Sequence, residues 1–202
     1  MKKILFKCVL LAAAFMVIVG CSDSKSTSVN GNAKSKTTTN TSKENAKAST
    51  AEEANEKTIQ TFLKVNMTGP DEEFKKALKQ VEATGNSTLV QAYDKKYYQP
   101  LLSKEFYTKF INSRFDVFWM QPAYDQGYQF KVDNIKIKKG KGYYSWTADV
   151  DYTKEGKTNT SSVNGLINLD DQGKIIFVEF VDGDQEILNI LHNTHPPKEK
   201  TS

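Results

Sequence analysis

The spacing of the apolar residues changes near residue 128, and this change constrains the fold more than any other feature of the chain. Before it, apolar side chains recur three or four residues apart, as in Phe74, Leu78 and Val81, which is the period of an amphipathic helix. After it they alternate, and the stretch from Tyr144 to Tyr152 places apolar and polar side chains in turn. The sequence therefore predicts helices first and an antiparallel sheet afterwards, an α+β domain.

Four helices are predicted before the sheet. A first helix near residues 51–66 follows Thr50-Ala-Glu-Glu53, which has the spacing of a capping box. Asp71 and Ser103 are the predicted N-caps of the second and fourth helices, because an Asp or Ser oxygen can accept a free backbone N–H there. The third helix ends before Pro100, since proline disfavours helical backbone at the residue before it.

About four strands are predicted after the helices. The alternation changes parity near Asp133-Asn134, which indicates a β-bulge. Residues 174–181 are apolar on both faces, as in a strand that is buried on both sides or whose outer face meets a partner. A short helix is expected from about Gln185 to His192. The predicted architecture is a set of N-terminal helices packed on a curved antiparallel sheet, closed by this helix.

One stretch of the predicted sheet resembles a known family. The sequence LINLDDQGKIIFVEFVDGD, Leu166 to Asp184, is similar to the hairpin near the end of many NTF2-like (cystatin-like) domains, where two strands close a cone-shaped sheet. The resemblance implies that aromatic side chains line the mouth of the cone or cover it. The chain departs from the family's usual form because it has extra helix before the sheet and a helix after it.

The N-terminus has the pattern of an export signal. Basic residues are followed by an apolar run from Cys8 to Val19, which is too short for a transmembrane helix of about 20 residues. Its end, Ile18-Val19-Gly20-Cys21, resembles the bacterial lipobox, which implies a signal peptide at 1–20 that is cleaved before a lipidated Cys21. Several acyl chains on one cysteine hold a protein at a membrane. The alternative is an ordinary signal peptide that happens to contain a cysteine.

The remaining chain is predicted to hold a tether and one domain. Residues 21–50 are rich in Ser, Thr, Asn and Lys and are expected to be disordered, whereas 51–202 form a single domain. That domain has 20 basic and 22 acidic side chains, the 28 and 24 of the whole chain less the eight and two before residue 51, so a nucleic-acid partner is not expected. The predicted location is the extracytoplasmic face of a bacterial membrane, with a tether composition typical of a Gram-positive wall.

More than half of the aromatic side chains lie between residues 93 and 130. Aromatic walls with a few polar groups are typical of a small-molecule or peptide site. The alternative is that the rings form the core and a protein-binding patch. His192 and His195 are interpreted as part of a tail, and neither a metal nor a cofactor is expected. The predicted binding residues are Arg114, Asp116, Trp119, Tyr124, Asp125 and Tyr128.

These features favour a membrane-anchored lipoprotein that acts as a non-catalytic binding or assembly module. Its expected partners are the membrane, through the lipid on Cys21, and a protein or small ligand, with a homo-oligomer through the sheet as a further alternative. Resemblance alone suggests an accessory lipoprotein of a conjugative transfer system. An NTF2-like isomerase or hydrolase is the enzyme alternative. A deep cavity that holds Asp116 or Asp125 would favour the enzyme, and a filled cone with an exposed aromatic patch would favour binding.

Replacing Cys21 tests the predicted anchor. Cys21→Ala removes the thiol that would carry the lipid, so we expect the protein to be released into the medium or to accumulate as an uncleaved precursor. Cell fractionation and the mass of the product measure this, with Cys8→Ala as the control that should leave processing unchanged. A Cys21→Ala protein that is still processed and membrane-bound would contradict the lipobox.

Overall fold

A computed structural model of the chain describes residues 41–192, with side chains described for residues 50–191. The predicted signal, Cys21, most of the predicted tether and His195 lie outside these residues. The described part contains six helices and one four-stranded sheet, in the order of helices α1 to α5, strands β1 to β4 and helix α6. The predicted α+β class is therefore confirmed, with helices before the sheet and a short helix after it.

Helix α1 spans Thr41–Met67 and begins earlier than predicted. Thr50 consequently lies within the helix instead of at its N-cap. The residues before it include alanine, lysine and glutamate, which favour helix strongly enough to continue it in the N-terminal direction. The predicted apolar face is confirmed, because Ile59, Phe62 and Leu63 are fully buried.

The next three helices begin and end near the predicted residues. In α2, Glu72–Thr84, the Asp71 carboxylate accepts the Phe74 N–H at 2.7 Å, and in α4, Lys104–Asn112, the Ser103 hydroxyl accepts the Phe106 N–H at 3.2 Å. Both predicted N-caps are thus confirmed. Helix α3 spans Thr88–Tyr97.

Helix α5, Met120–Gln126, was not among the predicted elements. It follows a run of aromatic residues whose spacing is not periodic, and it is only seven residues long. Its last turn is closed by Gly127, which has a φ of 76° that favours glycine. Such a short helix depends on its packing more than on its own sequence.

The sheet is an antiparallel meander in the order β1-β2-β3-β4. The register of β1 and β2 shifts between Asp133 and Lys136, which confirms the predicted bulge. Asn134 has a φ of 51° at this point and donates from its side-chain amide to Asp149 at 2.8 Å. The strands span Gln129–Lys139, Tyr144–Lys154, Lys157–Leu169 and Ile175–Asp182.

One face of the sheet is covered by the helices. Alternate residues of β2 from Tyr144 to Tyr152 are buried, whereas the residues between them are more exposed. Helix α6, Asp184–His192, closes the domain, since the Gln126 amide of α5 donates to the Leu191 carbonyl. Within residues 41–192, no helix is both long enough and apolar enough to cross a membrane.

Two tryptophans fill the space between the helices and the sheet. Trp146 on β2 and Trp119 next to α5 are 1% and 2% exposed, and both rings pack against Phe180 of β4 with centroid distances of 5.3 and 5.4 Å. Trp146 lies directly opposite Gly165 of β3, and a Cβ at Gly165 would come within 2.7 Å of the indole. Gly165 therefore provides the room that the largest side chain of the sheet needs.

Gly165→Ala should test this packing. The added methyl group would clash with the Trp146 ring and the β4 backbone, so we expect a loss of about 3 kcal/mol in the free energy of unfolding, at the upper end of overpacking effects. Gly85→Ala is the matched control, because Gly85 has a φ of 69° but open space around it, and backbone strain alone costs about 1 kcal/mol. Urea unfolding of the full chain measures both, and equal losses would contradict the role of Gly165.

Candidate functional site

The structure places Trp119 in the core and not on a binding surface. Its ring is 2% exposed, lies edge-on to Phe118 at 5.6 Å and packs against Phe180. No described group accepts its indole N–H. A ring that is 2% exposed offers a partner almost no surface, so the structure favours the alternative in which Trp119 belongs to the core.

Arg114 and Asp116 lie in the segment between α4 and α5, but they have opposite environments. Arg114 is exposed, has a φ of 59° and donates to the Gln121 side chain at 3.1 Å. Asp116 is only 6% exposed. A ligand in solution could reach the guanidinium directly, whereas it could reach the Asp116 carboxyl only through the surrounding side chains.

The other three predicted site residues contact different neighbours. The Tyr124 hydroxyl donates to Glu82 of α2 at 3.4 Å, and Asp125 beside it is exposed. Burial, followed by the nearby charge of Glu82, raises the pKa of Asp125. Tyr128 is half-buried at the start of β1, and the Lys154 ammonium lies 5.1 Å from its ring centroid. These contacts do not bring the six predicted residues together around one pocket.

A surface depression of about 470 Å³ lies elsewhere, where the end of α1 meets α3 and the start of β1. None of the six predicted residues lines it. Tyr93 and Tyr97 form part of its wall, and the Tyr93 hydroxyl donates to Asp71 at 3.4 Å. Lys64 and Lys131 add positive charge to the rim. Its aromatic wall and mixed charges suit a polar ligand held at the surface more than one enclosed in the core.

Asp94, which was not among the predicted site residues, forms a buried pair of carboxyl groups with Asp116. Asp94 of α3 is 2% exposed, and Asp116 is close enough to it for their charges to interact strongly. One oxygen of each carboxyl group is buried without a hydrogen bond of good geometry to a described group. The signal was present in the sequence, because Asp94 follows Val90 by four residues and so falls on the apolar face of α3.

Burial first, and then the adjacent Asp116 carboxylate, raises the pKa of Asp94 to about 8. Burial also raises the pKa of Asp116, although Arg114 nearby opposes this by favouring the charged form. Two carboxylates in a poorly solvated site repel each other, so one of them keeps its proton at neutral pH. We assign the retained proton to Asp94, because its neighbours stabilise the charged form least.

Two polar side chains border this pair. The Tyr98 hydroxyl donates to the Asp116 backbone carbonyl at 3.4 Å, and burial raises its pKa well above the ordinary tyrosine value. The Asn66 amide is 1% exposed and lies near that hydroxyl, but neither its nitrogen nor its oxygen makes a hydrogen bond of good geometry with a described group. The result is a small polar cluster enclosed by aromatic rings of the core. Chemically, it can hold and exchange a proton.

A third feature is an exposed apolar surface on β4. Ile176 and Phe177 are each 43% exposed and Val181 is 58% exposed, with Glu179 between the last two on the outer face of the strand. We call Ile176, Phe177, Glu179 and Val181 the β4 edge surface. Phe118, 36% exposed, is not part of this surface, because its ring packs 5.7 Å from Phe115, which also lies 5.7 Å from the inward-facing Phe180.

Of the two predicted environments for residues 174–181, the structure therefore shows the one with an accessible outer face. The inner residues of β4 pack on the core, because Ile175 is fully buried and Phe180 contacts both tryptophans. Large apolar groups clustered on an exposed strand mark interaction surfaces in soluble domains. Burial of the inner face alone does not account for Phe177 and Val181.

The fold and these sites define an α+β domain with a filled core and an accessible edge strand. No protein-family model matches the chain, and the comparisons with curated proteins and with solved structures also give no match. Among the described residues, no three His, Cys, Asp or Glu side chains are grouped as they would be around a metal ion. The function is therefore inferred from the contacts and charges of these sites.

The pKa of Asp94 predicts how the stability of the domain depends on pH. The unfolded chain loses this proton near pH 4, whereas the folded domain keeps it up to about pH 8. The folded state thus binds more protons between these values, and its stability should fall as the pH rises through this window. We expect a loss of about 2 kcal/mol between pH 5 and pH 8, less than this pKa shift would give for an isolated group, because Asp116 and Arg114 interact with Asp94 as it titrates.

Asp94→Asn removes the titrating group and should flatten this dependence, so that the variant becomes the more stable protein at pH 8. Asp171→Asn in the exposed β3–β4 turn is the matched control and should leave the dependence unchanged. Urea unfolding of the full chain at several pH values measures the effect. A steep pH dependence that persists in Asp94→Asn would show that a different group carries the retained proton and would contradict its assignment to Asp94.

Proposed function

We propose that this chain is a lipoprotein anchored through Cys21 at the extracytoplasmic face of a bacterial membrane, and that its α+β domain is a non-catalytic module for binding or assembly. The observation that carries the proposal is the β4 edge surface. It exposes three large apolar side chains on a strand whose other face is firmly packed. Burial of such a surface by a partner lowers the free energy of the complex.

The interior of the domain supports binding more than catalysis. Trp146 and Trp119 fill the space under the concave face of the sheet, where an NTF2-like enzyme would hold its substrate. Asp116 is buried there, but the depression of about 470 Å³ does not include it among its lining residues. A general acid must come within hydrogen-bond reach of its substrate. A substrate would have to displace core side chains to reach either carboxyl group of the pair.

The NTF2-like label and a role in conjugative transfer are narrower forms of the proposal. The label is supported by the order of elements, helices followed by a four-stranded antiparallel meander. The helix α6 remains a departure from the usual form of the family. A transfer role would make the partner another extracytoplasmic protein of the same assembly, which is compatible with a non-catalytic surface.

Capture from cells tests the proposal. The full chain is expressed in a Gram-positive host with a reversible cross-linker, and its partners are compared with those of Phe177→Ser and Val181→Ser. Both side chains are exposed, so we expect the variants to fold normally and to lose at least tenfold in captured partner. Tyr143→Ser is the matched control, because Tyr143 is equally exposed at the β1–β2 turn but is not part of the β4 edge surface.

Trp119→Ala is unsuitable for this experiment, since loss of a buried tryptophan would unfold the domain or weaken it by about 3–5 kcal/mol. Equal capture by the parent chain, the two β4 variants and the control would contradict the proposal. A chemical conversion that depends on Asp94 or Asp116 would instead favour the enzyme alternative.

A further inference from the structure

The free edge of β4 already accepts a neighbouring segment at its first residue. The Ser103 N–H donates to the Ile175 carbonyl at 2.9 Å, and the Ile175 N–H donates to the Leu101 carbonyl at 3.0 Å. From Ile176 to Asp182, β4 pairs with β3 on one side, and no other strand of the described part pairs with its second side. The backbone of this edge is therefore suited to accept a strand over its remaining length.

The two edges of the sheet are protected to different degrees. Charged residues, above all lysine, and proline keep natural edge strands from pairing with other chains. The first edge strand, β1, carries Lys131, Lys136, Lys138 and Lys139. In contrast, β4 has neither lysine nor proline between Ile175 and Asp182, and its two charged residues, Glu179 and Asp182, are both acidic and so do not repel a basic strand. One edge of the sheet is thus shielded, and the other is left open to pairing.

We propose that β4 binds an extended segment of a partner protein by strand addition, and that this segment carries Lys or Arg opposite Glu179 with apolar residues on either side at alternate positions. The proposal rests on the proposed function and specifies the chemistry of the partner. In strand addition the main-chain hydrogen bonds supply the affinity and the alternate side chains supply the specificity.

The charge on the β4 edge surface selects this partner. Glu179 is exposed between Phe177 and Val181, and its cross-strand neighbour on β3 is the uncharged Leu166. No ion pair within the described residues holds Glu179. A basic residue on the added strand would pair with this carboxylate, while the apolar residues beside it would cover Phe177 and Val181. Cross-strand pairs of both kinds stabilise antiparallel sheets.

A second copy of the chain fits this edge less well. Two antiparallel copies of Ile176–Asp182 overlap fully only when Glu179 lies opposite Glu179 of the other copy, and like charges directly opposite each other destabilise a sheet. If each strand shifts by one residue, each Glu179 lies opposite an apolar side chain of the other copy. Neither carboxylate then has a basic partner. The edge therefore suits a basic segment of a different protein better than its own sequence.

Disulfide trapping tests the proposal. In the full chain, Cys8→Ser and Cys21→Ser remove both natural thiols, and Ile176→Cys places one thiol at the start of the free edge. The probes are synthetic peptides with the sequence Val-Thr-Lys-Thr-Val, or the same sequence with Glu in place of Lys, followed by a short Ser linker and a C-terminal Cys, which an antiparallel strand places near residue 176. The fraction of trapped peptide is measured by mass spectrometry at a fixed concentration of reducing agent.

We expect the Lys peptide to be trapped about two- to fivefold more than the Glu peptide, which is the discrimination that one cross-strand charge pair supplies. Glu179→Lys should reverse the order. Two N-methylated forms of the Lys peptide test backbone pairing. In an extended strand alternate N–H groups point to opposite sides, and each form is methylated on one of these two sets. Only the set that faces β4 should reduce trapping, because the other set points away from the sheet.

Equal trapping of the Lys and Glu peptides, or an equal response to the two methylation patterns, would overturn strand addition. A dimer of the chain measured by light scattering, with no peptide adduct, would identify a second copy as the occupant and also overturn it. Cell capture separates this failure from failure of the proposed function. If partners are lost in Phe177→Ser and Val181→Ser but trapping fails, the surface binds its partner in another way, whereas no loss in those variants rejects the module itself.

Discussion

The contact of Trp146 with Gly165 and Phe180 is the interaction on which the rest of the domain depends. The indole lies on the inner face of the sheet, and it fits there because the facing residue of β3 has no side chain. Phe180 packs against this ring from β4 and also against Trp119 of the helical half. Three strands and the segment before α5 therefore share one aromatic cluster. Burial of such rings supplies the largest share of core stability per residue.

This cluster also determines which surfaces remain accessible. Because Phe180 faces inward, strand alternation directs Phe177 and Val181 outward. Ile175 is fixed by its backbone pairing with Leu101 and Ser103, which begins the free edge at the following residue. The exposed apolar surface is thus a geometric consequence of how β4 is anchored. The charge of Glu179 on this surface does not follow from the anchoring of β4. The lysines of β1 show that an edge of the same sheet can be protected from pairing.

Much of the fold could be predicted from the sequence, because its signals are local. Asp71 and Ser103 cap their helices through short contacts, and the β1 bulge follows from a change of parity. The predicted start of α1 was wrong, because the spacing of a capping box can also occur inside a helix that began earlier. Helix α5 was missed since its seven residues are specified by packing, through contacts such as Gln126 with Leu191, and not by periodicity.

The candidate site was harder to predict, because burial is a tertiary property. Trp119 and Tyr124 are both aromatic residues of the same stretch of sequence. Trp119 is nevertheless buried in the core, whereas the Tyr124 hydroxyl contacts Glu82 at the surface. Asp94 shows what a single sequence can still reveal, since a carboxyl group on the apolar face of a helix must find a compensating group. Here the compensation is a retained proton, because Asp116 brings a second carboxyl group and not a cation. Loss of that proton leaves two buried carboxylates that repel each other, so it destabilises the folded domain. The packing of α3 on the 113–119 segment therefore depends on the protonation of this pair.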